Sequence, residues 1–441
     1  MKLTVFHAAD GDCLLLESAD NPPRRLLVDG GRQTSYENNT REFLGQLRAA
    51  DQKIDIVCVS HIDDDHITGI LRLVEDEVEW RAFEFARTLD ADTPEPRAAR
   101  PPDIGEVWHN GLFRLVGDDL GHLAEPVLAT VATVLAGSRD EGLRDLASEL
   151  DDLVTGERAS MELSRRLSPD QLGIALNSPT TGLLMKREMT GPLTAAEVVT
   201  LGSVTIRLLG PSQDDIDKLR VKWQQWIDAN KLALDKLQAD MLADEQRLGT
   251  LSPLIVVNPM LDQALGAGLS GVTEANLASL MLLVEEGMQS ILLTGDGVSR
   301  EILDGLARHG KLDGSGRVHV NVLKVQHHGA LANVDKDFVN RVTADHYVFC
   351  GNGAHHNPEV EVVEAFAKAR LDGLDDDGPV GPATPFKFWF TSGPTTPDST
   401  ASQSRQKHMK KVKDTVTALR QGNQDRLSAT FLKEGRFEID L

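Results

Sequence analysis

The densest group of reactive side chains in this sequence lies in one ten-residue segment, Ser60–Gly69, which follows an apolar run. Within six residues it contains two imidazoles and three carboxylates: His61, Asp63, Asp64, Asp65 and His66. Carboxylates this close repel one another unless a cation lies among them, and imidazole with carboxylate is a ligand set for Zn²⁺, Mn²⁺ or Fe²⁺. An EF-hand is excluded, because Thr68 stands where that loop requires glycine. We therefore predict a divalent metal site; the alternative is an acidic turn facing solvent.

Other apolar runs of the chain also end in polar clusters. Short apolar runs bounded by Gly and Asp predict buried strands, and amphipathic helical patterns lie between them, so we predict an α/β chain. Reactive residues at several strand ends are expected where a sheet presents a site along one edge. The clusters are Asp29-Gly30-Gly31, Thr294-Gly295-Asp296, Gln326-His327-His328-Gly329 and Gly351-Asn352-Gly353.

The segment from His61 to Gly69 reads H-x-D-x-D-H-x-x-G. It is similar to the H-x-H-x-D-H metal motif of the metallo-β-lactamase superfamily, and its second-position aspartate resembles the hydrolase domain of the competence DNA-uptake channel (ComEC-like) family. Further segments resemble that family in the same order, from residue 1 to about 365. They are 5–17 and 27–31 (two hairpins), 276–280 with 292–297 (the bridging aspartate), 323–329 (the paired histidines) and 351–359 (the final histidine motif).

The resemblance implies a four-layer αββα sandwich with two helical insertions. Its N-terminal half would cover residues 1–118, followed by an acidic helical insertion at 119–168 and a return to the fold at 169–212. A long helical insertion at 213–250 would precede the C-terminal half, 251–441, which ends in a basic stretch and a strand pair around Gly435. The apolar stripe over 213–248 would pack on the same chain, or form a homodimer or protein-partner interface.

Carried over to this sequence, the family motifs imply a role for each site residue. His61 and Asp63 would bind one metal, and Asp65 and His66 the other. Asp296 would bridge the two. Either His355 or His356 would complete the second position, with His356 slightly favoured because it directly precedes Asn357-Pro358.

The remaining candidates would act on the substrate or support the ligands. Asp65 would also orient the attacking water. His327 and His328 would lie at the rim, where one binds the scissile group or protonates the leaving oxygen, unless one only fixes the other by a hydrogen bond. Asp12 is expected to hydrogen-bond the ligand loop, and Ser279 is a candidate ligand or substrate contact.

This sequence departs from the superfamily at one ligand. The usual lone histidine before the bridging aspartate has no clear counterpart, because the matching strand, 204–209, ends in Gly210-Pro211-Ser212. The first metal position therefore has fewer ligands than usual. Because it can be empty or filled, one or two ions are expected. His109 could supply a ligand or touch substrate, although a histidine at a strand end is more often simply hydrogen-bonded. With Asp63 in place of an imidazole, the site can accept Mn²⁺ as readily as Zn²⁺.

The charge of the chain limits its partners. It has 46 Lys and Arg against 68 Asp and Glu, a net charge of −22, which disfavours non-specific binding of nucleic acid by the whole surface. A long nucleic acid would need a local basic patch or a partner subunit, whereas a metal can still hold a phosphate inside a pocket. The basic stretch Arg405–Lys413 is either a solvated helix face or a contact for phosphates.

The sequence favours a cytoplasmic protein without membrane contact. Cys13, Cys58 and Cys350 lack CxxC spacing, which predicts buried, reduced thiols. The N-terminus has no signal-peptide pattern, and no apolar stretch approaches the ~20 residues that span a bilayer.

Together, these features predict a metal-dependent hydrolase that uses a metal-activated water. The leading hypothesis is a phosphodiesterase or nuclease acting on nucleic acid or a nucleotide messenger. The first alternative is an ester, lactone or thioester hydrolase on the same fold, since one scaffold hosts many reactions. The second alternative is a non-catalytic interaction module stabilised by a metal.

Overall fold

The computed structural model describes residues 1–111, 155, 158–218, 220–221, 278–373, 380–397 and 402–441. Within them, two β-sheets of seven and eight strands are accompanied by helices, so the predicted α/β class is confirmed. Most of both predicted insertions lies outside the described residues. In their described parts, the chain is helical over 158–167 and from 213 to 218.

The first sheet has the strand order β15-β1-β2-β3-β4-β5-β6. Strands β15 to β3 pair antiparallel, and β3 to β6 pair parallel. The strands are β1 (Lys2–Phe6), β2 (Leu14–Glu17), β3 (Arg25–Val28), β4 (Ile54–Cys58), β5 (Ile104–Trp108), β6 (Ala175–Leu176) and β15 (Arg436–Asp440).

The second sheet has the strand order β14-β13-β12-β11-β10-β9-β8-β7. Strands β7 to β10 pair antiparallel, and β10 to β14 pair parallel. The strands are β7 (Val198–Leu201), β8 (Val204–Gly210), β9 (Met281–Glu286), β10 (Gln289–Leu293), β11 (Val318–Lys324), β12 (Val342–Phe349), β13 (Phe386–Phe390) and β14 (Leu427–Phe431).

Helices cover the outer faces of both sheets. A short helical turn, Gln33–Ser35, and a π-helical stretch, Tyr36–Thr40, lead into α1 on the first sheet. Short 3₁₀ turns occur at Ser178–Thr180, Gln326–Gly329 and Ala354–His356. The labelled helices are α1 (Arg41–Ala49), α2 (Asp64–Leu89), α3 (Ser299–Arg308), α4 (Lys336–Arg341), α5 (Val360–Leu371) and α6 (Gln403–Arg420).

Among the described residues, three hydrophobic cores separate the layers. The central core joins the inner faces of both sheets, with Leu3 and Leu26 from the first and Leu282 and Val322 from the second. A second core lies between the first sheet and helices α1 and α2, and a third between the second sheet and α3, α5 and α6. Alternate residues of each strand therefore face different cores, which gives the order helix, sheet, sheet, helix expected for an αββα sandwich.

The end of the chain differs from the expected strand pair around Gly435. β14 extends the second sheet beside β13, whereas β15 pairs with β1 in the first sheet. The turn at Gly435 therefore carries the chain from one sheet to the other, which a local strand-turn-strand pattern cannot distinguish from a hairpin.

Two other expectations concern thiols and membranes. Cys13, Cys58 and Cys350 are buried and not in disulfides, as predicted. Among the described residues, no helix is both long enough and apolar enough to cross a membrane.

Parallel strands bring the reactive loops to one edge of the sandwich. β4 ends before the His61–His66 segment, β10 before Asp296, and β11 before His327 and His328. The Leu280 amide donates to the Ser60 carbonyl at 2.7 Å, and the His327 amide donates to the Gly295 carbonyl at 3.1 Å. The first bond joins loops of the two sheets, and the second joins two neighbouring loops of the second sheet.

Candidate metal centre

The loop between β4 and α2 is fixed by a buried aspartate that follows β3. Asp29 accepts hydrogen bonds from the Ser60 amide at 2.7 Å and from the Ser60 hydroxyl at 2.6 Å. The same carboxylate lies 3.0 Å from His66 Nδ1. Because a carboxylate accepts, Nδ1 carries the hydrogen and Nε2 presents its lone pair on the other side of the ring. Asp29, which belongs to one of the predicted strand-end clusters, thus orients a predicted ligand.

Four side chains converge at what the sequence predicts as the second metal position. His66 Nε2 lies 3.4 Å from Asp296 Oδ2 and 3.7 Å from Asp65 Oδ1. His328 Nε2 lies 3.3 Å from Asp65 Oδ2 and 3.5 Å from Asp296 Oδ2. Ligand atoms about 2.1 Å from a tetrahedral zinc ion are about 3.4 Å from one another, so this spacing fits a cation among these four groups.

The hydrogen bonding of these atoms supports the same fit. Within the described structure, His66 Nε2, His328 Nε2 and Asp296 Oδ1 are buried and lack a hydrogen-bond partner. A buried polar atom without a partner costs about 1–3 kcal/mol. Both Nε2 atoms lie 3.3–3.7 Å from carboxylate oxygens of Asp65 and Asp296, so coordination to one divalent cation among these groups would give both nitrogens a partner.

A second, smaller group of potential metal ligands also includes Asp296. His61, His66 and Asp296 each offer an atom within 4.8 Å of the others, and His61 Nε2 lies 3.4 Å from Asp63 Oδ2. Both ring nitrogens of His61 are buried without a hydrogen-bond partner among the described residues. His61 thus lies near Asp296 and His66, and Asp63 lies beside His61, which is compatible with the predicted first position.

A buried lysine supports the cluster from behind, and the sequence analysis did not identify it. Lys324, the last residue of β11, is 1% exposed, and its ammonium contacts the Asp12 carboxylate. It donates to the Gly295 carbonyl at 2.9 Å and lies 3.6 Å from Asp296 Oδ1. Asp12 Oδ1 in turn lies 3.3 Å from His328 Nδ1. The expected contact of Asp12 with the ligand loop is thus replaced by contacts with Lys324 and with the histidine that follows β11.

The buried carboxylates of the cluster favour the binding of positive charge. Burial lowers the pKa of His66, but the carboxylates of Asp296, Asp65 and Asp29 outweigh it and raise that pKa well above its usual value. Burial likewise opposes protonation of His328, yet Asp296 and Asp12 raise its pKa to about 10. Without a cation, protons on these imidazoles would balance the carboxylates, and a bound divalent ion would displace them.

The final histidine motif does not reach the cluster. His355 and His356 are both exposed, and neither belongs to the groups of ligand types found among the described residues. The His356 ring instead lies 5.5 Å from the ring of His408 on α6. The geometry does not support the expected ligand role of His356, or of His355; β12 lies one strand farther than β11 from β10, which precedes Asp296.

His328 occupies the place in the second metal position that the sequence analysis assigned to His355 or His356. Its side chain is only 6% exposed and lies among Asp12, Asp65 and Asp296, so the expected rim position is not observed for it. His327 fits the rim better, with 31% of its side chain exposed and its Nε2 3.6 Å from Asp296 Oδ2.

Two further candidates lie outside the cluster. His109 is 2% exposed and its Nε2 lies 3.3 Å from Ser164 Oγ, on the helix over 158–167. His109 is therefore a hydrogen-bonded histidine at a strand end, which was the alternative to a ligand or a substrate contact. Ser279 is buried next to the turn at Gly295, where a Cβ on the glycine would lie 3.4 Å from the serine Cβ. It belongs to none of the groups of metal-ligand types, since those contain only His, Asp, Glu or Cys.

A close backbone contact holds two of the loops together. A Cβ on Gly11 would lie 1.7 Å from the Asp65 carbonyl oxygen. Any side chain at position 11 would therefore push away the residue that carries the Asp65 carboxylate. Gly11 is required here for close approach of two backbone segments, in addition to any bend it permits.

Comparison with known proteins agrees with this arrangement. Residues 10–128 match the family model described as the metallo-beta-lactamase superfamily. The search of curated proteins gives no match. Members of this superfamily are mostly hydrolases and usually bind a divalent metal, most often zinc. The finer resemblance to the competence DNA-uptake channel family stays a prediction. The two packed sheets and the clustered imidazoles and carboxylates are consistent with this match over residues 10–128.

Proposed function

We propose that this protein is a metal-dependent hydrolase of phosphodiester bonds. The observation that carries the proposal is the shared position of Asp296. Its carboxylate belongs both to the group with His61 and His66 and to the group with Asp12 and His328. A carboxylate between two ligand groups suits a pair of metal ions about 3.5–4 Å apart, an arrangement that stabilises both the attacking and the leaving oxygen of a displacement at phosphorus.

The residues of the cluster would have different roles, in metal binding and in orienting water, according to their positions. Asp65, His66, Asp296 and His328 would hold one ion, with Asp29 fixing the ring of His66 through the hydrogen bond at Nδ1. A bound divalent ion supplies activation of water and charge neutralisation at the phosphoryl oxygens. Asp65, with 17% of its side chain exposed, would orient that water.

Two arginines close to the loops that carry Asp10 and Asp64 support an anionic substrate over a neutral ester or lactone. Arg32 Nε donates to Asp10 Oδ1 at 2.8 Å, and Arg405 Nη2 lies 3.8 Å from Asp10 Oδ2. The two guanidinium side chains are 23% and 25% exposed. Asp10 precedes Gly11, which touches the backbone of Asp65. Guanidinium groups bind phosphate oxygens with matching geometry. Arg32 also contacts the Asp64 carboxylate, so the two arginines offer hydrogen-bond donors to a phosphate without a net positive charge.

The test is an assay of metal-loaded wild type beside Asp65→Ala. Each is loaded with Mn²⁺ or Zn²⁺ and given bis(p-nitrophenyl) phosphate, single-stranded DNA, RNA, a cyclic dinucleotide, p-nitrophenyl acetate and a lactone. We expect cleavage of phosphodiesters by the wild type and a loss of about 10³-fold or more in kcat/KM for Asp65→Ala. Asp304→Ala, which changes an exposed carboxylate on α3, is the matched control and should retain activity.

Each alternative hypothesis gives a different result in this assay. Turnover of the ester or lactone without turnover of any phosphodiester would contradict the proposed substrate class and favour the ester, lactone or thioester hydrolase. No turnover of any substrate with either metal would favour the non-catalytic interaction module. Full activity of Asp65→Ala would show that the assigned site is not the site of hydrolysis.

A further inference from the structure

Lys324 is a buried lysine beside the proposed metal centre. It is the last residue of β11 and only 1% exposed. Val322, two residues earlier on the same face of the strand, belongs to the apolar core between the two sheets. Replacing a buried ion pair by apolar residues of similar volume is often neutral or stabilising. Stability alone therefore does not explain a lysine at this position, and its contacts point to the site.

The ammonium of Lys324 joins two loops of the site that come from different sheets. It contacts Asp12 Oδ2 in the loop after β1. It also donates to the Gly295 carbonyl at 2.9 Å, in the turn after β10. Asp296 is the next residue of that turn, and its Oδ1 lies 3.6 Å from the same ammonium. Lys324 thus holds the Asp12 loop and the Asp296 turn next to each other.

Through Asp12 this contact reaches an imidazole of the second metal position. Asp12 Oδ1 lies 3.3 Å from His328 Nδ1. A carboxylate on this side of a neutral ring favours the hydrogen on Nδ1 and leaves the lone pair on Nε2. His328 Nε2 is the atom that lies 3.3 Å from Asp65 Oδ2 and 3.5 Å from Asp296 Oδ2. A metal-ligating histidine almost always has such a partner at its other ring nitrogen.

The carboxylates behind the two imidazoles of the second position are held in comparable ways. Asp29 lies 3.0 Å from His66 Nδ1 and is itself fixed by the amide and the hydroxyl of Ser60, at 2.7 and 2.6 Å. Asp12 faces Nδ1 of the other imidazole with one oxygen and contacts Lys324 with the second. The ammonium therefore has the same place behind Asp12 that Ser60 has behind Asp29.

The same ammonium also lies on one side of the Asp296 carboxylate. Asp296 Oδ1 faces Lys324, whereas Oδ2 lies 3.4 Å from His66 Nε2 and 3.5 Å from His328 Nε2. The turn that carries Asp296 is bound to the end of β11 once more, because the Thr294 hydroxyl donates to the Lys324 carbonyl at 2.7 Å. These contacts direct Oδ2 of Asp296 toward the two imidazoles.

A positioning role and a purely electrostatic role of Lys324 predict opposite effects on metal binding. A fixed positive charge repels a divalent cation, so its removal would raise the metal affinity if charge were its whole effect. If the ammonium instead holds Asp12 and Asp296 in place, its removal lowers the metal affinity, because the orientation of the ligands is lost. The sign of the change in affinity therefore distinguishes the two roles.

We propose that Lys324 is a positioning residue of the second metal position, which acts on His328 through Asp12 and on Asp296 through the turn at Gly295. Lys324 does not bind the ion. It is needed for tight binding although its charge has the same sign as that of the ion. The inference rests on the metal-binding part of the proposed function and not on its substrate class.

Metal binding by the demetallated protein tests this inference without any substrate. Co²⁺ is titrated into wild type, Lys324→Met, Asp12→Asn and the double variant, with affinity measured by competition with a chelator and ligand geometry by visible absorption. Each single variant should lose about 10- to 100-fold in affinity for the most tightly bound ion. The double variant should bind within about three-fold of the weaker single variant, because both residues act through one contact. The Co²⁺ absorption bands should shift in all three variants.

Arg25→Met is the matched control for the loss of a buried ion pair. Arg25 is 3% exposed, and its guanidinium lies 2.9 Å from Glu17 Oε1 at the opposite end of β3 from Asp29. This variant should keep wild-type affinity for Co²⁺. The free energy of unfolding in chelator, measured for every variant, shows whether the affinity loss exceeds the loss of folded protein. If Lys324→Met fails to fold, the double variant carries the test with the same expected loss, since it leaves no buried charge unpaired.

Three results would overturn the inference. Wild-type or higher affinity in Lys324→Met would show that the ammonium does not position the ligands. Losses that multiply in the double variant would show that Lys324 and Asp12 act separately. A wild type that binds no divalent ion would overturn both this inference and the proposed function. Since no substrate is present in the titration, failure of phosphodiester cleavage alone would contradict only the proposed substrate class.

Discussion

The chain contains two His-His pairs that are alike locally and differ in their surroundings. His327-His328 follows β11 and His355-His356 follows the adjacent parallel strand β12. All four histidines adopt left-handed backbone conformations, with φ between 44° and 63°. Yet the side chain of His328 is 6% exposed among three carboxylates, whereas His355 and His356 are exposed.

The neighbours of each strand end explain the difference. β11 lies beside β10, whose following turn carries Asp296, and it faces Asp12 and Asp65 from the first sheet. β12 lies one strand farther away, and its loop packs against the start of α6. A Cβ on Gly353 would lie 2.7 Å from the Arg405 carbonyl oxygen. A histidine pair at a strand end therefore becomes a candidate ligand only where carboxylates from other loops converge on it.

The sharpest test of this comparison replaces one histidine of each pair. We expect His328→Ala to lower kcat/KM for a phosphodiester by about 10³-fold or more, because the second position loses one of its two imidazoles. His356→Ala should stay within about three-fold of wild type, since its ring contacts His408 and not the carboxylates. Steady-state kinetics of the metal-loaded proteins measure both. Equal losses in the two variants would contradict the difference between the pairs.

A smaller effect is expected from the carboxylate that orients His66. Asp29→Asn weakens the acceptor at His66 Nδ1, now 3.0 Å away, and should reduce metal affinity by about 10- to 100-fold. The matched control is Asp345→Asn, because Asp345 Oδ1 lies 3.2 Å from His319 Nε2 in a pair away from the cluster. Competition with a chromogenic chelator measures both affinities. Unchanged affinity in Asp29→Asn would show that His66 does not need this partner to bind metal.

The smallest effect concerns the guanidinium next to the exposed histidine pair. Arg405→Gln should raise KM for an anionic phosphodiester about three- to five-fold with little change in kcat, because an exposed charge is screened by water and salt. Lys413→Gln, on an exposed position of the same helix, is the control. A raised KM that persists at high salt would argue for packing at Asn352 and Asp10 instead of attraction of the substrate.

Much of the site could be predicted from the sequence because its ligand loop is local. His61, Asp63, Asp65 and His66 fall within six residues at the start of a helix, and Asp296 directly follows a buried strand. The structure brings all five together, as the motif suggests. Their roles as ligands stay a proposal that metal titration can test.

Other parts of the site depended on contacts that sequence spacing does not encode. The choice between the two histidine pairs depended on which strand end faces Asp12 and Asp65 from the other sheet. The sequence pattern predicts only an ordinary strand residue at Lys324. The packing of the two sheets nevertheless buries its ammonium against the Asp12 carboxylate. Asn333 lies six residues after His327 in a loop, and only the fold turns its amide toward both Asp296 and the imidazole.

The sequence by itself determined the α/β class, the strand ends that carry reactive side chains, and a cluster of carboxylates and imidazoles that calls for a cation. Strand periodicity and like-charge repulsion act over a few residues, so they can be read from the order of amino acids. The tertiary structure alone decided which histidine meets which carboxylate, and which buried lysine and amide hold them. Several of those contacts join residues hundreds of positions apart, such as Lys324 with Asp12 and His66 with Asp296, and these form only when two sheets pack face to face and place their loops at one edge.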